Sequence, residues 1–157
     1  MIALREMQPG DLGWIVEAQT HLYVRELGWA RGMEAKLLQV ALEFATRQNP
    51  RQAGWVAEGP EGRLGAVLAM AGPGDAAQLR LLHVEKIARG QGVGGRLVDR
   101  VLQFCRASGY PSIMLETKDV LAPAHALYRS RGFELADQRP QSAYGLEMHE
   151  QIWTRAL

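Results

Sequence analysis

A chain of 157 residues, 47% hydrophobic and 22% charged, with a formal net charge of +1, has the length of one domain and enough apolar character to build a core unaided. That balance excludes a disordered chain, and it argues against nucleic acid as a partner, which calls for a basic domain or stripe. A single cysteine, Cys105, excludes an internal disulfide framework and a cysteine-based zinc site.

In chain order, Ile2 to Met7 reads as a short strand. Pro9-Gly10-Asp11 then punctuates the chain, with Asp11 the expected N-cap of a helix. Leu12, Ile15, Val16, Gln19, Leu22 and Tyr23 follow at helical spacing. After a turn at Gly28, Met33, Leu37, Val40, Ala41, Phe44 and Ala45 predict a second helix, stopped by Asn49-Pro50. Gly54 to Glu58 and Arg63 to Ala71 read as strands joined by a hairpin loop at Gly59 to Gly62. Ala76 to Val84 completes an antiparallel meander.

Beyond Val84 a glycine-rich turn from Arg89 to Gly95 opens a helix with apolar positions Val93, Leu97, Val98, Val101, Leu102 and Cys105, closed by Gly109. Pro111 to Glu116 is an apolar strand, and Leu121 to Arg131 a helix closed by Gly132. Phe133 to Ala136 and Tyr144 to Arg155 are the last strands. The order is β-α-α-β-β-β-α-β-α-β-β, which makes residues 1–157 a single α+β domain.

Arg89-Gly90-Gln91-Gly92-Val93-Gly94-Gly95-Arg96 lies between a strand and a helix. Glycines there let backbone N–H groups converge on an anion, and the helix N-terminus adds its positive end. A phosphate-bearing ligand is the expected occupant; a plain tight turn is the simpler alternative. Gly90, Gly92 and Gly95 satisfy G-x-G-x-x-G, with Glu116 at a strand end about 20 residues on, where a ribose-binding acid belongs. Against a dinucleotide fold stand the gap between Val84 and Gly90, the preceding meander and the short remaining chain.

The same loop satisfies Arg-x-x-Gly-x-Gly through Arg89, Gly92 and Gly94, and so resembles the pyrophosphate-binding motif of the GCN5-related N-acetyltransferases (GNAT). The resemblance extends to Leu82-His83-Val84, similar to the family's fourth strand, to Ala126-Leu127-Tyr128 through Gly132-Phe133, similar to its last helix-to-strand turn, and to the element order. Gly10 to Ile15, Leu22-Tyr23 through Gly28-Trp29, Leu79 to Leu82 and Gln151 to Trp153 resemble, more narrowly, the acetyltransferase half of bacterial MarR-type regulator fusions. The winged-helix half is absent from this sequence, so no DNA-binding role carries over.

The resemblance implies a mixed, largely antiparallel sheet flanked by helices, with acetyl-coenzyme A as cosubstrate and direct attack by an amine, small-molecule or protein. Gln91 to Arg96 would cradle the pyrophosphate through backbone N–H groups, with Arg89 and Arg96 adding charge. Backbone at Leu82 and Val84 would hold the pantetheine arm and polarise the thioester. Tyr128 takes the position of the general acid, although a Tyr beside Leu127 and near Phe133 also reads as core. His83 and Glu85 are the candidate bases. Tyr23, Arg25, Glu26 and Trp29 are the candidate acceptor-binding residues; a packed helix corner is the alternative. Lys118 departs from the Asn that related sequences often carry there, and Pro123 falls in the first turn of its helix.

No metal is expected, because His21, His83, His125 and His149 show no ligand spacing. No signal peptide is evident at the N-terminus, and the longest apolar run, Leu64 to Ala71, is far below the ~20 residues of a membrane span. A cytoplasmic enzyme, with no membrane partner and room for a homodimer, is the expectation. A nucleotide-dependent oxidoreductase of Rossmann type and a non-catalytic acyl-coenzyme A-binding module stay open as alternatives.

Overall fold

The computed structural model describes residues 1–157, whose elements follow the order read from the sequence: β1 (Ala3–Glu6), α1 (Asp11–Thr20), α2 (Gly32–Thr46), β2 (Ala53–Gly59), β3 (Gly62–Ala71), β4 (Ala77–Val84), α3 (Val93–Ala107), β5 (Ser112–Lys118), α4 (Ala122–Ser130), β6 (Glu134–Gln141) and β7 (Met148–Ala156). All seven strands join one sheet in the order β1-β2-β3-β4-β5-β7-β6. Every neighbouring pair is antiparallel except β4 and β5, so the expected mixed, largely antiparallel α+β architecture is the one found.

The sheet is covered on both faces, which is why β3 is buried without interruption from Leu64 to Met70. On one face α3 and α4 pack over Val67, Leu79, Ile113, Leu115 and Trp153. On the other, α1 and α2 lie over Val56, Ala66, Leu68 and Met70. Tertiary packing decides that α3 forms at all. Gly94 and Gly95 in its first turn cost about 1 kcal/mol each relative to Ala. Burial of Leu97, Val98, Val101 and Leu102 offsets this at roughly 1.5–3 kcal/mol per side chain.

Three local departures shape the site. The helix expected to run through Tyr23 loosens after Thr20 into a π-helical turn, His21–Glu26, widening the chain before Gly28. Asp11 begins α1 as its first residue, while Gly10, in the left-handed region at φ 96°, is the cap. Asp11 is freed for a buried ion cluster, accepting hydrogen bonds from Arg5 at 2.7 Å and Arg63 at 2.7 Å. Third, β4 carries a bulge. Its ladder to β3 slips between Ala66 and Leu68, and Leu81 sits at φ 53°. A β-branch-free residue held there stores about 1–3 kcal/mol of strain.

The bulge bends β4 away from β5. Only two residue pairs hold those strands together, Ala77 with Ile113 and Gln78 with Met114, and beyond them the strands diverge. Arg80 bonds to Glu43 of α2, and Leu81 packs with the α1 and α2 clusters, so two successive residues serve one face.

Candidate active site

Where β4 and β5 part, a cavity of about 690 Å³ opens between the two halves of the sheet. Its walls come from β4, β5, α1, α2, the start of α3 and α4. That volume is within the usual range for small-molecule sites.

At one end lies the glycine loop. Gly92 caps α3 in the left-handed region at φ 75°, with no side chain to bond the first helical N–H groups. The N–H groups of Val93, Gly94 and Gly95 have no acceptor one turn earlier, and these residues line the cavity with Gly90, Gly92 and Arg89. Val93 is itself core, so only its backbone is available. A β-carbon at Gly95 would run into the Arg131 guanidinium, which is held by Asp99 at 3.0 and 3.1 Å. The sequence pattern did not single out Arg131; nothing in the spacing links residues 95 and 131 before α4 folds back. Leu82 and Val84 line the cavity from the free edge of β4. These groups suit a pyrophosphate with an extended arm: converging N–H donors, one arginine and a strand edge with no strand beside it, whose Leu82 and Val84 carbonyls accept from Gln19 and Arg89.

Two residues of the expected cradle turn elsewhere. Arg96 donates from Nη1 to the Ile2 carbonyl at 2.8 Å, along the edge of β1. Gln91 is exposed and donates to the Ile87 carbonyl at 3.0 Å. Neither lines the cavity, because each side chain leaves the helix start on its solvent side.

Tyr128 projects from α4 into the cavity while its ring packs between Phe133 and Trp153, with centroids at 6.0 and 6.4 Å. The ring is therefore part of the core, and the residue also contributes to the cavity wall. Burial, and secondarily the phenol of Tyr23, push its pKa well above the ordinary tyrosine value, so it is a protonated donor.

His83 lies on the α1 side of β4, edge-on to Trp14 at 6.0 Å. Its Nε2 is buried without a hydrogen-bond partner, 3.6 Å from Glu85 Oε2. His83 forms part of the wall of the main cavity and of a second pocket of about 300 Å³, which Glu85 lines from the solvent side. Burial lowers the imidazole pKa, and Glu85 works against that shift. The ring is therefore neutral near pH 7 and able to accept a proton.

The acceptor-side residues divide. Tyr23 and Trp29 line the cavity and stack face to face, 4.7 Å between centroids and 12° between planes. Tyr144 extends the stack at 6.1 Å. Burial pushes the Tyr23 pKa up to about 12 despite the opposing charge of Arg89. Arg25 is exposed and outside the cavity. Glu26 is tied to Lys86 at 2.8 Å and to His21 at 3.3 Å, and lines only the second pocket. The π turn sends successive residues to opposite sides, which a regular helical reading cannot anticipate.

Glu116, the residue that could have held a ribose, projects instead from the α1–α2 face of β5 toward Tyr144, whose phenol its charge helps to raise after burial and Glu150. A 3-10 turn, Lys86–Ala88, separates β4 from the loop, and β4–β5 is the sheet's sole parallel pair. A dinucleotide fold needs an immediate strand-to-loop turn in a parallel sheet, so that reading is set aside.

Comparison with known proteins agrees. Residues 16–133 match the acetyltransferase (GNAT) family. N-acetyltransferase 8B of Rattus norvegicus is 40% identical over 89 residues, covering 54% of this chain and 40% of that protein. The chain thus spans about 40% of the length of that curated relative. A GNAT-family acetyltransferase from Staphylococcus aureus Mu50 shares the fold at a TM-score of 0.80, with 19% identity over 100% of this chain and 99% of that one. A Bacillus anthracis structure solved with acetyl coenzyme A aligns at a TM-score of 0.63 and 23% identity, over 70% of this chain and 65% of that one. No helix is long and apolar enough to cross a membrane. With three quarters of its length inside the family match, the chain belongs to the acetyltransferase (GNAT) family.

Proposed function

We propose that residues 1–157 act as one domain that transfers acetyl from acetyl-coenzyme A directly to an amine, of a small molecule or a protein, within a ternary complex. The observation that carries this is the shared cavity: the glycine loop, the β4 edge with no strand beside it and Tyr128 all line it. In this reading the N–H groups at Gly92 to Gly95 and the Arg89 charge hold the pyrophosphate. Backbone N–H at Val84 polarises the thioester carbonyl. His83 takes the proton of the attacking ammonium and passes it to Glu85 at the solvent side. The amine nitrogen bonds to the carbonyl carbon, the carbon–sulfur bond breaks, Tyr128 protonates the departing thiolate, and the second proton of the nitrogen returns the Tyr128 phenolate to its protonated form.

Titration with acetyl-coenzyme A, followed by thiol release across an amine panel, tests the reading. Coenzyme A binding with no thiol release for any amine would leave a non-catalytic acyl-coenzyme A-binding module. The likeness of Gly10 to Ile15 and Leu79 to Leu82 supports kinship with the acetyltransferase half of MarR-type regulator fusions. A cytoplasmic location fits the need for acetyl-coenzyme A and the one buried thiol, Cys105. The exposed outer strand β6 leaves an edge on which a homodimer would form, a point for light scattering.

A further inference from the structure

Arg131 is held more firmly than the other arginines near the glycine loop. It follows the last residue of α4, and its Nε and Nη2 donate to the two oxygens of Asp99 at 3.0 and 3.1 Å. Nη1 donates to Ser130 Oγ at 3.1 Å. The guanidinium lies against the first turn of α3: a β-carbon added at Gly95 would have Nη2, Cζ and Nη1 of Arg131 as its three nearest atoms. Gly95 is buried and is not among the glycines at positive φ. Its backbone would accept a side chain, so the approach of Arg131 is what calls for glycine there.

That placement is electrostatically unfavourable unless an anion is near. A helix N-terminus carries positive partial charge, and a cation beside it is destabilising. The first turn of α3 contains no acidic residue and its cap supplies no side-chain bond. Asp99 lies one turn further along α3 than Gly95, so the Arg131–Asp99 pair presents its positive end to the loop. Of the loop's own arginines only Arg89 lines the cavity, since Arg96 is turned to the Ile2 carbonyl. Arg129, two residues before Arg131, lies over the Trp153 ring at 4.9 Å.

We infer that Arg131 is a further residue of the coenzyme site: a fixed positive charge beside the first turn of α3 that favours the phosphates of coenzyme A, with Asp99 and Ser130 as its positioning residues. This rests on the reading that coenzyme A binds at the glycine loop. Coenzyme A brings a pyrophosphate and a 3′-phosphate, and the same charge attracts either one.

Calorimetric titration of the wild type and of Arg131→Met with coenzyme A, dephospho-coenzyme A and pantetheine, at low and high salt, tests the inference. Methionine keeps the unbranched apolar stem and removes the charge. The expected result is a coenzyme A Kd about tenfold weaker at low salt, a gap that narrows to about twofold near ~1 M salt, and unchanged pantetheine binding. A loss shared by dephospho-coenzyme A places the charge at the pyrophosphate; a loss for coenzyme A alone places it at the 3′-phosphate. Either result supports the inference. Wild-type coenzyme A affinity in folded Arg131→Met overturns it. So does a loss that is equal at both salt concentrations or extends to pantetheine, which would leave Arg131 a strut between α3 and α4. If Arg131→Met does not fold, Gly95→Ala decides by the same criteria, since it displaces the guanidinium while favouring the helix. If the wild type binds no coenzyme A, the reading of the loop falls as well; if it binds and the variant matches it, only this inference falls.

Discussion

Gly94, in the first turn of α3, lies against Leu127 of α4: a β-carbon added there would come 3.1 Å from Leu127 Cδ2 and 3.6 Å from Val84 Cγ2. Those two neighbours and the glycine enclose the loop end of the cavity. Valine at 94 would push its methyl groups toward the space that the proposed function gives to the pyrophosphate. We expect Gly94→Val to weaken coenzyme A binding about tenfold or more. Leu127 is a flexible side chain at the cavity wall, so the fold should persist with a small fall in melting temperature. Calorimetric titration with coenzyme A and a thermal melt check both; wild-type affinity in a folded variant would remove the cradle from the mechanism.

Tyr128 offers a cleaner separation of mechanism from packing. Its ring is fixed by Phe133 and Trp153, and its hydroxyl engages no group of the chain. Tyr128→Phe keeps the packing and leaves no buried partner orphaned, so stability and coenzyme A affinity should stay near wild type. Turnover should fall ~10²–10⁴-fold, the usual range for a lost general acid. A drop of less than about threefold, well short of that range, would return Tyr128 to the core and leave the thiolate to another donor.

How much of this was readable beforehand depended on whether the determinant was local. The glycine loop, its helix and Tyr128 were legible because turn chemistry and 3.6-residue spacing are written in adjacent residues. Glu116 was legible as a notable acid but not in its placement, since alternation along β5 does not say which face meets α1 and α2. β6 was expected over Phe133 to Ala136 but pairs with β7 as far as Gln141; its outer residues are polar and include Pro140, and backbone pairing alone holds them. Tyr144, expected at the start of the last strand, falls in the preceding turn, where stacking on Trp29 holds it. The Leu81 bulge has no sequence mark at all. It arises from the need to serve α1 and α2 while leaving β5, which exists only in the assembled sheet.

For His83 the pH dependence carries the sign. A base must be unprotonated to act, so kcat/KM should fall on the acid side through the imidazole pKa, which burial holds below its usual 6.5. The Glu85 carboxylate favours the protonated ring, so Glu85→Gln should move that limb to lower pH, while His83→Ala should abolish it. His83→Ala should also lower kcat by about 10²-fold or more, as expected for a general base. If the acid limb survives in His83→Ala, the titrating base lies elsewhere, with Glu116 the next carboxylate in the cavity to test.

Asp11 gives a prediction about stability rather than turnover. It is 1% exposed, and it accepts hydrogen bonds from Arg5, from Arg63 and from the Gln8 N–H. Burial alone would raise its pKa, but the Arg5, Gln8 and Arg63 contacts outweigh it and hold the carboxyl at about 2, against 3.8 for a free aspartate. Because the folded value lies below the unfolded one, the stabilisation is present above about pH 4 and is lost as pH falls through about 2. Asp11→Asn keeps the shape and removes the charge. Arg5 and Arg63 are partly exposed and can turn to water, so the cost should be that of lost charge-assisted bonds, roughly 2–3 kcal/mol at pH 7. Urea unfolding of the two proteins between pH 7 and pH 2.5 should show curves that converge as the wild-type carboxyl protonates. A difference that is already absent at pH 7, or that persists undiminished at pH 2.5, would mean that the Arg5–Asp11–Arg63 cluster does not anchor α1 to the sheet through its charge.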